Sequence, residues 1–372
     1  MTKRILDPSG GFKLGLFSPN CSSGLAVTTV DERWSGSWDD NLKLAKLADE
    51  AGIDWLLPIA RWIGYGGATN FHEGVLDPVT WAAGLLANTE RISVFATIHT
   101  AFNHPIVAAK QMATLDHIGH GRAGINVVAG WNKPEYDTMG VELPQDHDSR
   151  YALAQEWLDV IQRIWSEPGQ FDHDGRFFSL QHVEGMPKPY EGMVPILNAG
   201  ASPQGQDFAA RNANYLFTTF ADPATDGAEK VRSVKSVAKE RYDREIGVLT
   251  LGYSVCRPTR KEAEEYHHYY AEEHADWGAV DNLMALQGLH AQSFSPEMLA
   301  NFRGRFAAGH GAYPLIGTPD EVADAIAAIA DAGFAGMTLA FVDYVAELPY
   351  FAEEVIPRLE AKGLRAPRAV AA

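Results

Sequence analysis

The stretch Arg122–Gly140, RAGINVVAGWNKPEYDTMG, decides the fold. It begins with the apolar run AGINVV, whose β-branched residues are typical of a strand buried on both faces. It then changes abruptly to polar, aromatic and charged residues. In parallel α/β proteins such a change marks the carboxyl end of a strand, where ligands bind. The stretch therefore predicts a buried parallel strand that ends either at a ligand site or in an ordinary exit to a loop.

The same pattern of apolar strand followed by amphipathic helix recurs along the chain. Eight strand–helix units favour a closed (β/α)8 TIM barrel over an open doubly wound sheet. No G-x-G-x-x-G follows the first strand, which weakens a dinucleotide-binding alternative. We expect one domain over residues 1–372. The predicted strands are FKLGLFSP, IDWLLPIA, RISVFATIHT, AGINVVAG, VPILNAGAS, NYLFTT, IGVLTLGYSVCR and FAGMTLAFV.

Three connecting segments are longer than ordinary loops, and they predict insertions after strands 2, 4 and 7. The segment after strand 2 reads ARWIGYGGATNFHEG. The segment after the fourth helix, FDHDGRFFSLQHVEGMPKP, alternates like a hairpin with Gly175 at its turn. The third, at about 275–315, is the natural candidate for a lid over a site.

Composition limits the possible partners. The chain has 31 Lys and Arg against 48 Asp and Glu, a net charge of −17, so nucleic acid and anionic membranes are poor partners. Cys21 and Cys256 are too few and too far apart to predict a disulfide framework or a zinc site. No apolar run approaches the ~20 residues of a membrane span. We therefore expect a soluble cytoplasmic protein without a membrane or nucleic-acid partner.

The predicted carboxyl ends of the strands form a crown that is polar and aromatic but poor in charge. H-E-x-x-H, G-x-S-x-G and P-loop motifs are absent from the sequence, and we expect no metal site. Chemistry at this crown is therefore expected to come from a cofactor. Its members are Pro19, Asn20, Cys21, Ala60, Arg61, Trp62, Thr97, His99, Thr100, Asn126, Gly130, Trp131, Glu135, Gly200, Ser202, Thr218, Thr219 and Phe220.

Two strand–helix junctions suggest a phosphate site. Gly200 and Ser202 lead from a strand into a helix that begins near Pro203, and a helix N-terminus with a nearby hydroxyl can hold a phosphate. Arg150 and Tyr151 open another helix and can add a charge-assisted contact. The alternatives are a tight turn at the first junction, and a salt bridge with a packed ring at the second.

The strings GRAGINVVAGWNKPEYDTMG, HDSRYALAQEWLDVIQRIW, DGRFFSL, ILNAGASPQGQDFAA and LIGTPDEVADAI resemble the bacterial-luciferase-like (group C) FMN-dependent monooxygenases. The resemblance is strongest to the branch that contains pyrimidine, dimethylsulfone, alkanesulfonate and dibenzothiophene-sulfone monooxygenases. It covers nearly the whole chain. One departure is the GGxS-type turn of the family, which here reads AGAS.

This resemblance implies a luciferase-like TIM barrel that binds FMN at the strand carboxyl ends. Such enzymes receive reduced FMN from a separate flavin reductase, react it with O2, and oxygenate a small organic substrate. Cleavage of a C–S, C–N or C–halogen bond is among the expected outcomes. The resemblance also implies a homodimer or a homotetramer, for which the exposed apolar faces of the second and third barrel helices would serve.

The resemblance assigns roles to individual residues. Asn126 would face the flavin ring, and its carboxamide suits an edge of alternating N–H and C=O groups. Its alternative role is to satisfy neighbouring strand backbone. Leu57 and Thr97, with Asn126, match the oxygen pocket of ring-opening members, so a flavin-N5-peroxide rather than a C4a-peroxide is a hypothesis here. The remaining cofactor residues would be Ala60, Arg61 and Glu135 along the flavin, and Arg150, Tyr151, Gly200 and Ser202 at the phosphate.

Several alternatives stay open at this point. A coenzyme F420-dependent hydride-transfer enzyme would use the same barrel, as would a non-catalytic flavin-binding relative. An unrelated barrel hydrolase or isomerase would need an acid–base pair or a metal. The tract HHYYAEEH is expected to be an exposed helix face. Candidates for the pocket rim are His72, His99 and His104, with Arg303 and Arg305 as candidates for contact with an anionic substrate.

Overall fold

Eight parallel strands close into a barrel in the computed structural model, which describes residue 5 and residues 11–144, 146–288 and 296–366. These strands lie side by side in sequence order, and pairings of the first strand with the eighth and of the sixth with the seventh complete the ring. The predicted TIM barrel is confirmed. The barrel strands are β1 (Lys13–Phe17), β2 (Trp55–Leu57), β3 (Ser93–His99), β4 (Ala123–Val128), β7 (Ile196–Asn198), β8 (Tyr215–Phe217), β9 (Gly247–Cys256) and β11 (Gly336–Ala340).

The barrel helices begin where the sequence supplies capping residues. Asp77, Ser202 and Thr318 each accept a backbone N–H in the first turn of the following helix, and a proline follows each of them. The apolar faces of these helices pack on the strands in one large core. The barrel helices are α1 (Trp38–Ala51), α2 (Pro78–Ala87), α3 (Pro105–Ile118), α5 (His147–Ser166), α6 (Pro203–Asn212), α7 (Ala228–Tyr242), α8 (Arg260–His268), α11 (Pro319–Asp331) and α12 (Tyr344–Ala361).

The insertions contain further elements. A hairpin of β5 (Phe171–Asp174) and β6 (Ser179–Val183) confirms the prediction for the segment after the fourth barrel helix. The segment expected at 275–315 as a lid contains α9 (Trp277–Leu286) and α10 (Pro296–Gly309), and its residues 289–295 lie outside the described part. β10 (Tyr313–Gly317) follows and extends the sheet beside the second half of β9.

Two helices differ from what the sequence predicts. The stretch WNKPEY predicts a loop wall after the fourth barrel strand, yet it contains the start of a short helix, α4 (Lys133–Met139), which ends at Gly140 with a φ of +65°. Its seven residues are too few to show a helical period in the sequence. The sequence LPYFAEEVIPRLEAKG predicts a helix that is interrupted or ends near Pro357, yet α12 runs through both Pro349 and Pro357. Burial of its apolar face offsets the hydrogen bonds that the prolines cannot donate.

Helix length also bears on membrane contact. Among the described residues, no helix is long and apolar enough to cross a membrane.

Candidate functional site

Asn126 and Thr97 form the centre of the crown. They are paired across β3 and β4, and both side chains are buried. The Thr97 hydroxyl donates to the carbonyl of Pro58 at 2.6 Å and accepts from Asn126 Nδ2 at 3.1 Å. These hydrogen bonds hold the carboxamide nitrogen, while Asn126 Oδ1 is buried and has no hydrogen-bond partner among the described residues. A buried acceptor without a partner indicates that a ligand or water completes it.

Arg61 and Glu135 form a buried ion pair beside this centre. Arg61 Nη1 lies 2.9 Å from Glu135 Oε1, and the carboxylate also accepts the backbone N–H of Trp62. The guanidinium stacks over the rings of Tyr65 and Trp131, at 5.1 and 5.3 Å from their centroids. Within the described chain, Arg61 Nε and Glu135 Oε2 are buried without hydrogen-bond partners. The pair is electrically balanced, but polar atoms of both side chains are left for a ligand.

A glycine-lined turn lies next to β4. Gly200 and Gly205 approach each other under the ring of Tyr151, so that a Cβ on Gly200 would sit 2.3 Å from Tyr151 Oη and 2.6 Å from Gly205 Cα. Ser202 caps α6 by accepting the N–H of Gly205 at 3.1 Å. Arg150 Nη1 donates to the carbonyl of Gly130 at 3.1 Å. The structure thus places the predicted phosphate residues around two neighbouring junctions.

The role expected for Gly200 changes in one respect. Its N–H donates to Asn198 Oδ1 at 3.0 Å, and Asn198 Nδ2 donates to the carbonyl of Val127. Gly200 therefore provides space at this turn, while its N–H holds the strand ends together. Burial raises the pKa of the Tyr151 hydroxyl, so this phenol stays a hydrogen-bond donor near neutral pH.

The remaining predicted positions are buried in the barrel wall. Leu57 and Ala60 are 1% and 2% exposed, so they offer apolar surface at the end of β2. Burial raises the pKa of the Cys21 thiol to about 12, so this thiol is protonated near neutral pH. Within the described part of the chain, no group of three or more His, Cys, Asp or Glu side chains could hold a metal ion.

The histidine candidates separate into two groups. His99 is buried beside Trp62 and Phe102, and burial with the Arg61 charge lowers its pKa to about 3. His72 is buried as well, and its Nε2 bonds the carbonyl of Gly24 at 2.6 Å. His104 instead caps α3 at the surface. The first two imidazoles are therefore neutral and close to the crown.

The arginines of the insertion have partners elsewhere. Arg303 pairs with Asp281 at 2.7 Å and stacks over Trp277, while Arg305 donates to the carbonyls of Phe220 and Ala312. These contacts anchor α10. The tract HHYYAEEH is exposed only in part, because His267 stacks on Tyr253 and Tyr270 is fully buried.

Three residues of this region were not predicted from the sequence. Tyr65 and Asn132 are buried, and each has an oxygen that finds no partner in the described residues. His310 packs edge-on against His72, and burial lowers its pKa to about 3. In the sequence, the motif IGYGG and the Asn before α4 could have pointed to Tyr65 and Asn132. His310 could not be found in this way, because only the fold brings its insertion to the loop after β2.

Comparisons with known proteins find relatives that match nearly the whole chain. The sequence profile of the luciferase-like monooxygenases matches residues 12–336. The FMNH2-dependent dimethylsulfone monooxygenase of Pseudomonas fluorescens is 31% identical over 94% of this chain and 96% of its own length. A pyrimidine monooxygenase of Bradyrhizobium sp. is 30% identical over 95% of this chain and 98% of its own.

A solved structure has the same fold. A riboflavin lyase, determined with modified FMN and riboflavin, superposes with a TM-score of 0.85 at 23% identity, covering 97% of this chain and 94% of its own. At this identity the likeness concerns the fold alone.

Proposed function

The chain belongs to the luciferase-like monooxygenase family, and we propose that it is a two-component flavin monooxygenase. It takes reduced FMN from a separate flavin reductase and uses O2 to oxygenate a small organic molecule. Reduced FMN as the cofactor is supported by a relative that is named an FMNH2-dependent dimethylsulfone monooxygenase. When bound, reduced FMN supplies the activation of O2, which the side chains of this crown do not provide.

The observation that carries this proposal is the buried, unpartnered Oδ1 of Asn126. The pyrimidine edge of a flavin alternates N–H donors and C=O acceptors. Asn126 is held by Thr97, so its free oxygen can accept an N–H without losing another bond. Arg61 Nε and Glu135 Oε2 offer a further donor and acceptor in the same wall. These residues fit a flavin ring better than a charged metal complex.

The other end of the cofactor would lie at the glycine turn. Tyr151 and Ser202 carry hydroxyls there, and Arg150 adds a cation beside them. A phosphate at this place would face the N-terminus of α6, where the helix dipole favours negative charge. The small size of Gly200 and Gly205 keeps the turn open.

Apolar side chains cover parts of this region. Val27, Tyr65 and Phe71 pack against α9 and α10 in a second apolar cluster, so the insertion covers one side of the crown. Trp62 stacks edge-on against His99 and Phe102 on another side. An apolar wall of this kind limits the reaction of activated oxygen with solvent.

The finer features follow the family. Cleavage of a C–S, C–N or C–halogen bond belongs to the proposal, with Leu57 and Thr97 as the apolar and hydroxyl walls for O2. A homodimer or homotetramer would bury the exposed Ile106, Val107 and Ile118 of α3.

Anaerobic titration with reduced FMN tests the proposal. We expect saturable binding to the wild-type protein and about tenfold weaker binding to Asn126→Ala, since losing one buried hydrogen bond costs about 1.4 kcal/mol. Asn88→Ala, at the exposed end of α2, is the matched control and retains the wild-type affinity. Absence of affinity for reduced FMN in the wild-type protein contradicts the proposal.

The same protein distinguishes the main alternative. A deazaflavin enzyme would bind reduced F420 and transfer hydride without consuming O2. We expect O2 consumption with reduced FMN, and no hydride transfer from F420.

A further inference from the structure

A cavity of about 510 Å³ lies between the loop after β2, the start of α4 and helix α9. This volume is within the usual range of small-molecule sites. Residues that line it include Gly64, Tyr65, Asn132, Pro134, Asn282 and Leu286. The cavity shares a wall with the candidate cofactor site, because Arg61 stacks on Tyr65 and on Trp131, the residue next to Asn132.

Asn132 has an unusual position in this wall. It occupies the N-cap position of α4, yet its side chain makes no capping hydrogen bond. Its backbone carbonyl, rather than its side chain, accepts the N–H of Glu135 at 3.1 Å. The side chain is 2% exposed, and Oδ1 lacks a partner among the described residues. An Asn that leaves its cap unmade and its acceptor buried indicates a ligand contact.

Tyr65 is the second polar group of the cavity. Its Oη is buried, with no hydrogen-bond partner in the described part of the chain. Burial raises the pKa of this phenol to about 12, so the group is a neutral donor near neutral pH. Asn282 ties the loop to α9 by donating to the carbonyl of Tyr65 at 2.9 Å.

The charges around the cavity are already compensated. Arg61, behind the ring of Tyr65, is paired with Glu135, and Lys133 at the start of α4 is paired with Asp137 in solvent. The carboxylate of Asp276, the N-cap of α9, accepts the N–H groups of Ala68 and Thr69. Apart from the Tyr65 phenol, the lining residues carry no titratable side chain. An anion placed here would lose its hydration without gaining an unpaired cation.

We propose that this cavity is the substrate subsite and that it binds an uncharged polar group, such as an amide or lactam, through Asn132 and Tyr65. Asn132 Oδ1 accepts an N–H of the substrate, and the Tyr65 hydroxyl donates to a carbonyl oxygen. Organic anions such as sulfonates are excluded by their charge. This inference rests on the proposed monooxygenase function, since it names the substrate class of the same site.

Ligand-observed NMR on the full chain, with and without bound FMN, tests the proposal. The probes are δ-valerolactam, which is neutral with one donor and one acceptor, and methanesulfonate, which is an anion of similar size. We expect saturable lactam binding, and no saturable binding of methanesulfonate over the same concentration range. Asn132→Ala and Tyr65→Phe each weaken lactam binding, the first about tenfold, as expected for one buried hydrogen bond.

The controls separate this inference from the proposed function. Asn132→Ala removes no bond that holds α4, so its circular dichroism and its affinity for reduced FMN stay at wild-type values, as do those of Asn88→Ala. Lactam binding that is absent in the wild type or unchanged in Asn132→Ala overturns the subsite. Methanesulfonate binding as tight as lactam binding also overturns it. Loss of FMN affinity in the wild type contradicts the proposed function instead, whatever the lactam result.

Discussion

The two ends of the barrel hold their buried charges differently. At the amino end, Arg122 donates to the Thr89 hydroxyl and to three backbone carbonyls, and Arg365 pairs with Asp54 at 2.6 Å while donating to two more carbonyls. At the carboxyl end, the Arg61–Glu135 pair leaves Nε and Oε2 without partners among the described residues. Satisfied ions maintain the fold, whereas incompletely satisfied ones mark the place where a ligand completes the network.

Cavity size alone would mislead here. A cavity of about 940 Å³ lies at the amino end, lined in part by Phe12, Tyr215, Lys235 and Lys239. Catalytic residues of TIM barrels lie at the opposite end. The position of TIM-barrel sites, together with the unpartnered polar atoms of Asn126, Asn132 and Glu135, therefore favours the carboxyl end as the proposed site over the larger cavity.

The largest expected effect is on stability, at the amino end. Arg365→Ala leaves the Asp54 carboxylate buried without its cation, and we expect a loss of about 3 kcal/mol in the free energy of unfolding. Urea denaturation measures this change. Lys362→Ala, which removes an exposed pair with Asp324, is the control and leaves the midpoint nearly unchanged. The affinity of the folded Arg365→Ala protein for reduced FMN should remain at the wild-type value. A weakened affinity would contradict the claim that the ion pair at the amino end maintains the fold without contributing to cofactor binding.

The second effect concerns pH and the carboxyl end. The pKa of His99 is about 3 in the folded protein, because of burial and then the Arg61 charge, against 6.5 for an ordinary imidazole. Between these values the unfolded chain binds the proton and the folded chain does not. Stability is therefore lost as pH falls below about 6.5, and at pH 5 His99 accounts for roughly 2 kcal/mol of that loss.

Denaturation curves at pH 7.5 and pH 5 test this effect. His99→Gln should reduce the loss of stability between the two values, while His268→Gln, at an exposed imidazole, should not. Identical pH dependence in wild type and His99→Gln would show that His99 titrates normally.

A third change tests the glycine turn. Gly200→Ala places a methyl group against Tyr151 Oη and Gly205 Cα, so we expect about tenfold weaker binding of reduced FMN, or ~1.4 kcal/mol. Gly169→Ala, whose added carbon meets no atom within 4 Å, is the matched control. Equal affinities of the two variants for reduced FMN would show that this turn does not contribute to the proposed cofactor site.

The smallest expected effect separates capping from binding. Ser202→Ala and Thr318→Ala each remove an N-cap hydroxyl, and each should lower stability by about 1 kcal/mol. Only Ser202→Ala should also weaken binding of reduced FMN. If thermal unfolding and anaerobic titration change in parallel for both variants, Ser202 acts as a cap alone.

Sequence periodicity was sufficient for the barrel. Buried strands such as Ala123–Val128 have an apolar pattern that local propensity and burial both favour, so all eight barrel strands were predicted. The seven-residue helix α4 was not predicted, because it is held by the Arg61–Glu135 pair, which is a contact between distant segments of the chain. The helix through Pro357 was missed since packing outweighs the propensity rule there.

The sequence named residues that the fold brings together at the crown, but it did not give the contacts between them. Asn126 and Thr97 were expected at the crown, but their mutual hydrogen bond depends on the β3–β4 register. Tyr65, Asn132 and His310 come from three loops that meet only in the folded chain. Their unpartnered or neutral state is a property of burial, which a sequence pattern does not contain.

A crystal structure of the protein soaked anaerobically with reduced FMN tests the central claim most directly. We expect density for the isoalloxazine ring against Asn126 and Arg61, and density for the phosphate at Tyr151 and Ser202. Density in the cavity at the amino end, beside Lys235 and Lys239, or a fully occupied crystal form with no ligand at the crown, would contradict the account.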